Sequence, residues 1–334
     1  MSLSFEVGFG MGTDQDKVYD VIVIGSGPAG FSAALYASRA DLDTLVLTGP
    51  SIGGQVSLTN EVDNYPGFPD GLTGPELVQK MQAHAERFGA VVQIDTVTAV
   101  DLSQRPFHLA GEYDEYRGRV LVIATGASPR MLNVPGESQF TGRGVSYCAT
   151  CDGWFFKDKE VIVGGGGDSA LEEGLFLTRY ARKVTIVHRR DELRAGPALQ
   201  KRAFANDKID FIWNAVVTEI RGTNSVQAVR LQDTQTGEEW EHITDGVFIF
   251  IGHIPNTDLF KDQLEIDERG YLVADARMAT AVEGVWAAGE VADPVFRQVI
   301  TSAGMGAVAA IQAQRWLDEQ EEERAPQEKV LSLE

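Results

Sequence analysis

Two glycine-rich turns, each set between an extended apolar run and a helical pattern, constrain this chain more than any other feature of its sequence. Residues 19–24 (YDVIVI) form a β-branched run that ends at Gly25-Ser26-Gly27-Pro28-Ala29-Gly30 and passes into an Ala-rich helical pattern through Arg39. The order recurs downstream. An extended run at 160–163 leads to Gly165-Gly166-Gly167-Asp168-Ser169-Ala170, then a helix through about Tyr180 and a second strand over 183–188. A GxGxxG string alone is weak, but strand before and helix after is the context a dinucleotide-binding turn requires. In such a turn the first glycine permits the sharp bend. The second lets a pyrophosphate approach where a Cβ would block it, and the third position, Gly30 or Ala170, lets helix pack close to strand. The helix N-terminus then receives the anion. The bland alternative is a tight strand-to-helix turn that binds nothing.

The residue at the tip of the following strand separates the two copies, because an acid there would bond a ribose diol. In the first copy that position is Thr48. In the second it is His188, followed by Arg189, Arg190 and, after three residues, Arg194. Guanidiniums grouped beyond a strand tip, in a chain of net charge −20, suit a 2′-phosphate better than a bare diol. The second fold is therefore expected to bind NADPH; the competing reading is a basic helix start paired with Asp191 and Glu192. The first fold is left for another dinucleotide, and the C-terminal part supports FAD. There a strand ends in Gly289-Glu290, and Arg297-Gln298 lead into a small-residue helix over 302–313. An acid at a strand tip can accept bonds from ribityl hydroxyls, and a helix N-terminus can face the polar edge of a flavin. Taken alone, this segment also reads as a surface turn and a packed helix.

The expected fold class is α/β, with two Rossmann-like dinucleotide-binding domains and the NADPH domain inserted into the FAD domain. Strand-like 120–124, ending at Thr125-Gly126, and 246–251, ending at Gly252-His253, mark the exits. Each precedes a proline-bearing segment. Thr125 and Gly126 are counted with the flavin site. The expected organisation is a leader or loose arm over 1–17, a discontinuous FAD domain over 18–128 and 255–317, an NADPH domain over 129–254, and an acidic, solvated tail over 318–334. A length of 334 residues accommodates two domains. The acidic balance makes nucleic acid and anionic membrane surfaces poor partners. No stretch reaches the roughly 18 apolar residues of a span, and the start lacks a basic segment followed by an apolar one, so a soluble, cytoplasmic protein is expected.

The chain has two cysteines, Cys148 and Cys151, in a CxxC followed by Asp152. Half of a zinc site would need two more ligands, and beyond this pair there are five scattered histidines and no further cysteine, so no metal is expected. Inert buried thiols would have no reason for this spacing. A redox dithiol fits: a helix starting near the motif would stabilise one thiolate, and Asp152 could exchange a proton with the outgoing sulfur.

These residues, taken together, resemble a known family. The CATCD segment, GSGPAG, GGGGDSA, HRRDELR, the GGQ of Gly53, Gly54 and Gln55, NYPGF over 64–68 and RQVITSAGMG over 297–306 look like the bacterial low-molecular-weight thioredoxin reductases, over about residues 17–317. The resemblance implies FAD on Gly25, Ser26, Gly27, Pro28, Ala29, Gly30, residues 48–55, Asn64, Gly289, Glu290, Arg297 and Gln298. It implies NADPH on Gly165 to Ala170, His188, Arg189, Arg190 and Arg194. Cys151 would face the flavin, Cys148 would attack the partner, and Asp152 would serve as acid and base. The implied partner is a thioredoxin or thioredoxin-like protein, and the implied assembly a homodimer. One departure stands out: Glu290 occupies the family's usual Asp position, one methylene longer.

The leading expectation is NADPH-dependent thioredoxin reduction, with a hydride passing to flavin and an electron pair to the Cys148–Cys151 disulfide. A flavin dithiol oxidase of similar fold would have no use for Arg189, Arg190 and Arg194. A non-catalytic nucleotide or redox sensor would bind NADPH without sustained consumption.

Overall fold

The computed structural model describes residues 17–59, 62 and 64–331. The arm expected over 1–17 lies outside the described residues apart from Lys17, which pairs with Asp43 at 3.0 Å. The chain divides into two compact units, one formed by Met1–Ser57, Gly74–Ala127 and Pro255–Glu334, the other by Leu58–Thr73 and Ser128–Ile254.

The first unit opens with β1 (Val18–Ile24), α1 (Pro28–Arg39) and β2 (Thr44–Leu47). Helix α2 (Gly74–Glu86) leads to β3 (Val91–Gln93), and a meander of β4 (Val97–Asp101), β5 (Phe107–Gly111) and β6 (Glu115–Ile123) follows. Strands β1, β2, β3 and β6 run parallel, in the order β3-β2-β1-β6. Antiparallel β5 pairs the first half of β6 and β4 pairs β5. The β-branched run of β1 is buried on both faces, as a parallel strand between helical layers demands. Val21 and Val23 enter a cluster with α1, α2 and the C-terminal helix, while Ile22 and Ile24 enter a second with Phe107, Leu109 and Phe260.

Strand β7 (Ala127–Pro129) carries the chain into the second unit. There follow α3 (Glu137–Phe140), β8 (Val145–Ser146), α4 (Ala149–Asp152), β9 (Glu160–Gly164), α5 (Asp168–Leu177), β10 (Lys183–Val187), α6 (Pro197–Phe204) and β11 (Ile209–Ile212). An antiparallel sheet of β12 (Ala215–Gly222), β13 (Val226–Asp233) and β14 (Glu239–Ile243) precedes β15 (Gly246–Ile249). The parallel sheet has the order β11-β10-β9-β15-β8. Alternation divides its side chains as in the first unit: Val161 and Val163 pack with α5, and Ile162 packs with Val217, Val229 and Leu231 of the antiparallel sheet.

Strand β16 (His253–Pro255) pairs β7, so the two crossings lie side by side as a ribbon. Asn256 fastens this ribbon: its side-chain amide donates to the Thr125 carbonyl at 2.8 Å, and the Thr125 hydroxyl donates to the Asn256 carbonyl at 2.7 Å. The chain then adds β17 (Val285–Ala287), parallel to the second half of β6, and ends in α7 (Val299–Leu331).

Two boundaries differ from expectation. The stretch Leu58–Thr73, placed by sequence in the FAD domain, groups with the second unit. It closes on itself through the Val62–Leu72 bridge and, among the described residues, adds no strand to the first sheet. The segment expected as a solvated tail from residue 318 is largely exposed over 318–323 and continues α7 to Leu331 as helix. Once a helix is nucleated by packing, each further residue adds one bond at little entropic cost, so a run of Glu, Gln and Arg propagates it. Glu321 is also held, at 2.9 Å, by Arg119.

Candidate active site: two nucleotide turns and a disulfide

The first turn has the shape that a pyrophosphate needs. Gly25 has φ +111°, and a Cβ there would run into the carbonyl of Ala124. A Cβ on Gly30 would strike the carbonyl of Gly25, whereas Gly27 faces open space. Gly27 caps α1 without a side-chain bond and Pro28 follows at the helix start, so the first N–H groups are left for an anion. Ser26 is used internally. Its hydroxyl donates to the Thr48 carbonyl at 3.2 Å and accepts the Gly53 N–H at 3.1 Å, tying residues 48–53 over the turn. A Cβ on Gly54 would lie in van der Waals contact with Gly27, at 3.8 Å from its Cα.

The C-terminal elements close on the same helix. Gly289, at φ +80°, lies where a Cβ would press on Ala29 at 2.8 Å, and Gly306 of α7 packs against the Ala29 carbonyl. Glu290 therefore follows a strand end that rests on the start of α1. Burial pushes its carboxyl up to about 7, with Arg297 opposing and Asp293 reinforcing the shift. Asp293 accepts the N–H groups of Val295 and Phe296, both at 2.9 Å, and of Arg297 at 3.1 Å, which fixes the loop before α7. Within the first unit, the residues expected at the flavin site thus come from the first turn, residues 48–55, Gly289, Glu290, Arg297 and Gln298. Thr125 and Gly126 lie at the crossing ribbon, where the Thr125 hydroxyl is bonded to Asn256. Asn64 belongs to the second unit.

The second turn repeats the design. Gly165 abuts the Phe250 carbonyl and Ala170, Gly166 lies on the His188 ring, and Gly167 caps α5 without a side-chain bond. His188 is buried beneath the turn, its Nε2 donating to the Glu192 carbonyl at 3.1 Å, and burial pushes its pKa down. It shapes the turn as a neutral ring. The Arg194 guanidinium stands 3.9 Å from where a Cβ on Gly167 would lie. The Arg194 N–H donates to the Gly166 carbonyl at 2.8 Å, and Asp168 accepts the Gly196 N–H at 2.7 Å, so residues 194–196 are laced to the turn. Arg189, Arg190 and Arg194 are exposed, and among the described residues no carboxylate forms an ion pair with any of them. Asp191 and Glu192, the partners in the competing reading, form no ion pair with this cluster among the described residues. Both turns fit the nucleotides expected of them, the second with positive charge ready for a phosphate.

The second unit also carries the disulfide. Cys148 and Cys151 are bonded, with Cα atoms 5.3 Å apart. Cys148 is the N-cap of α4, and its sulfur accepts the Cys151 N–H at 3.2 Å, the role an N-cap hydroxyl ordinarily takes. Burial pushes the Asp152 carboxyl up, against a smaller opposing effect of its hydrogen bond with Ser146. Sequence reasoning missed two residues here. Ser146, at the end of β8, accepts the Cys148 N–H at 3.1 Å and donates to the Cys148 carbonyl at 3.2 Å. Glu173 of α5 accepts the Ala149 N–H at 3.0 Å. Proximity to the CxxC could have flagged Ser146; no local pattern points to Glu173. Among the described residues no group of three or more metal-ligating side chains gathers.

A doubly wound nucleotide fold interrupted by a second one that carries a redox-type disulfide defines a class of flavoprotein oxidoreductase. The sequence profile of the pyridine nucleotide-disulphide oxidoreductases matches residues 19–307. A thioredoxin reductase of Peptoclostridium acidaminophilum is 47% identical over 314 residues, covering 92% of this chain and 100% of that protein. One from Mycolicibacterium smegmatis is 50% identical over 313 residues, covering 93% and 100%. The crystal structure of the Streptococcus pyogenes thioredoxin reductase superposes with a TM-score of 0.87 at 44% identity, covering 90% of this chain and 99% of that one. The chain belongs to the pyridine nucleotide-disulphide oxidoreductase family and, within it, to the low-molecular-weight thioredoxin reductases. Its cofactors are FAD and NADPH.

Proposed function

We propose that this protein reduces the disulfide of a thioredoxin or thioredoxin-like protein at the expense of NADPH. The observation that carries the reading is the Cys148–Cys151 disulfide, built into the same unit as a nucleotide turn beside the Arg194 guanidinium, with Arg189 and Arg190 exposed after the following strand and none of the three in an ion pair among the described residues. FAD, held by the first turn, Glu290, Arg297 and Gln298, would accept a hydride from NADPH and supply an electron pair to this disulfide. The residues of the chain then perform thiol exchange. Cys148, its sulfur served by the Cys151 N–H, attacks one sulfur of the partner disulfide, and the other leaves as a thiolate. Asp152, whose carboxyl burial pushes up from its ordinary value, supplies the proton to the leaving sulfur. Cys151 then attacks Cys148, expelling the second partner thiol and restoring the internal disulfide.

Arg189, Arg190 and Arg194 favour this reading over a flavin dithiol oxidase, which needs no NADPH site. The resemblance supports a homodimer. The cytoplasm is the proposed compartment, in keeping with a dithiol that must cycle; no described helix is long and apolar enough to cross a membrane. The test is NADPH consumption by the purified holoprotein with and without an oxidised thioredoxin. Sustained, thioredoxin-dependent turnover is expected, lost in both Cys148→Ser and Cys151→Ser. Consumption that stops after a single equivalent would identify a sensor, and dithiol-driven oxygen uptake without NADPH would identify an oxidase.

A further inference from the structure

Helix α4 is a single turn, and its first backbone N–H is the group that a short helix most easily leaves without a partner. Here that group is Ala149 N–H, one residue past Cys148, and its acceptor is not local. It is Oε2 of Glu173, at 3.0 Å, reaching from the middle of α5. Ala149 is itself fully buried in the core beside α5, so water cannot readily replace the carboxylate. On the strand side, Ser146 bonds both the N–H and the carbonyl of Cys148. The backbone on either side of Cys148 is thus held from two elements, β8 and α5. Helix α5 is also the helix whose start, at Gly167 and Asp168, forms the nucleotide turn.

We propose that Glu173 is a positioning residue for the redox pair: by accepting the Ala149 N–H it holds the CxxC turn in the geometry in which Cys148 and Cys151 close their disulfide. The inference rests on the reading of Cys148–Cys151 as the working redox couple. An intramolecular disulfide forms to the extent that its two sulfurs are kept within reach, so a turn that is pre-organised favours the oxidised form, and one that is loosened favours the dithiol. The interaction works through a hydrogen-bond acceptor, which glutamine also supplies and alanine does not.

The experiment equilibrates the holoprotein, in wild-type, Glu173→Ala and Glu173→Gln forms, with defined mixtures of glutathione and glutathione disulfide. Two glutathione thiols reduce the protein disulfide to the dithiol and leave as one glutathione disulfide. Acid quenching, alkylation and mass spectrometry of the peptide bearing both cysteines read the dithiol fraction, with NADPH affinity of each variant measured alongside. Glu173→Ala is expected to move the equilibrium about tenfold toward the dithiol, or about 30 mV for this two-electron couple. Glu173→Gln should stay within about threefold of wild type, and NADPH affinity should remain within about twofold in both variants. An unchanged equilibrium in Glu173→Ala overturns the proposal, as does a glutamine variant shifted as far as the alanine one. A parallel loss of NADPH affinity in the glutamine variant overturns it too, since Glu173 would then serve the fold of α5. Should Glu173→Ala not fold, the glutamine variant decides by the same limits. A wild-type pair that NADPH cannot reduce defeats the thioredoxin reductase reading itself, a result separate from the comparison among variants.

Discussion

Arg189 and Arg190 follow a buried strand tip directly, with their backbone carbonyls accepting bonds from Thr234 and Asn214 and their side chains exposed. Their charges are free for a phosphate, and each charge-assisted bond contributes about 1.5–3 kcal/mol. Replacing both by alanine should lower kcat/KM for NADPH by roughly 10² to 10⁴ and leave NADH nearly unchanged. Steady-state kinetics with both nucleotides checks this, and equal losses would assign the pair to folding. Glu290 leads to a pH prediction. Its carboxyl, pushed up to about 7 by burial, holds in the folded state a proton that the unfolded chain releases near the ordinary value of 4.5. The folded state binds more protons between these values, so stability falls as pH rises through that window, by up to about 3 kcal/mol. Urea unfolding of nucleotide-free protein at pH 5 and pH 8 should show this loss in wild type and not in Glu290→Gln. Identical pH slopes would mean that Glu290 is solvated.

Among the elements, α1 and α7 pack in close contact, made possible by small side chains. Gly306 lies against the Ala29 carbonyl, so a Cβ there must push the helices apart, at about 1–3 kcal/mol. Gly304, two residues earlier, meets nothing within 4 Å. Gly304→Ala should therefore stabilise by about 0.5–1 kcal/mol through helix propensity, while Gly306→Ala destabilises. Chemical denaturation of the two variants reads the difference, and equal effects would show that the helices are not in contact at Gly306. Arg119 connects the second half of α7 to the sheet, pairing with Asp20 of β1 and with Glu321, both at 2.9 Å. This contact is one reason that residues legible only as an acidic run are helical. The sequence could not show it, because Arg119 and Glu321 are some 200 positions apart and charge composition alone reads as solvated surface.

At the scale of the molecule, the second unit is an insert with its own cores: one beneath α5 and one between the parallel sheet and the antiparallel strands. Its main body is entered at β7 and left at β16, while Leu58–Thr73 joins the same unit from an earlier part of the chain. A fragment spanning Ser128–Ile254 should unfold cooperatively and bind NADPH within about tenfold of the whole protein, because a domain with its own core can fold alone. Titration of the purified fragment tests this. A fragment that fails to fold would show that Leu58–Thr73, which groups with the same unit, completes it.

What the sequence determined by itself were the features whose physics is local. A strand, a glycine turn and a helix start are contiguous, so both nucleotide turns, the open positions at Gly27 and Gly167, and the CxxC beside a helix N-terminus could all be read from neighbouring letters. The arginines beyond His188 were legible for the same reason. Tertiary structure decided what depends on residues far apart in the chain. It buried His188 under Gly166, brought Asp293 beneath the loop of Arg297, spent the Thr125 hydroxyl on the crossing ribbon and placed Glu173 against the redox turn. Each of these satisfies a backbone or buried group whose partner is selected by packing, and packing is set by the whole fold rather than by any short run of sequence.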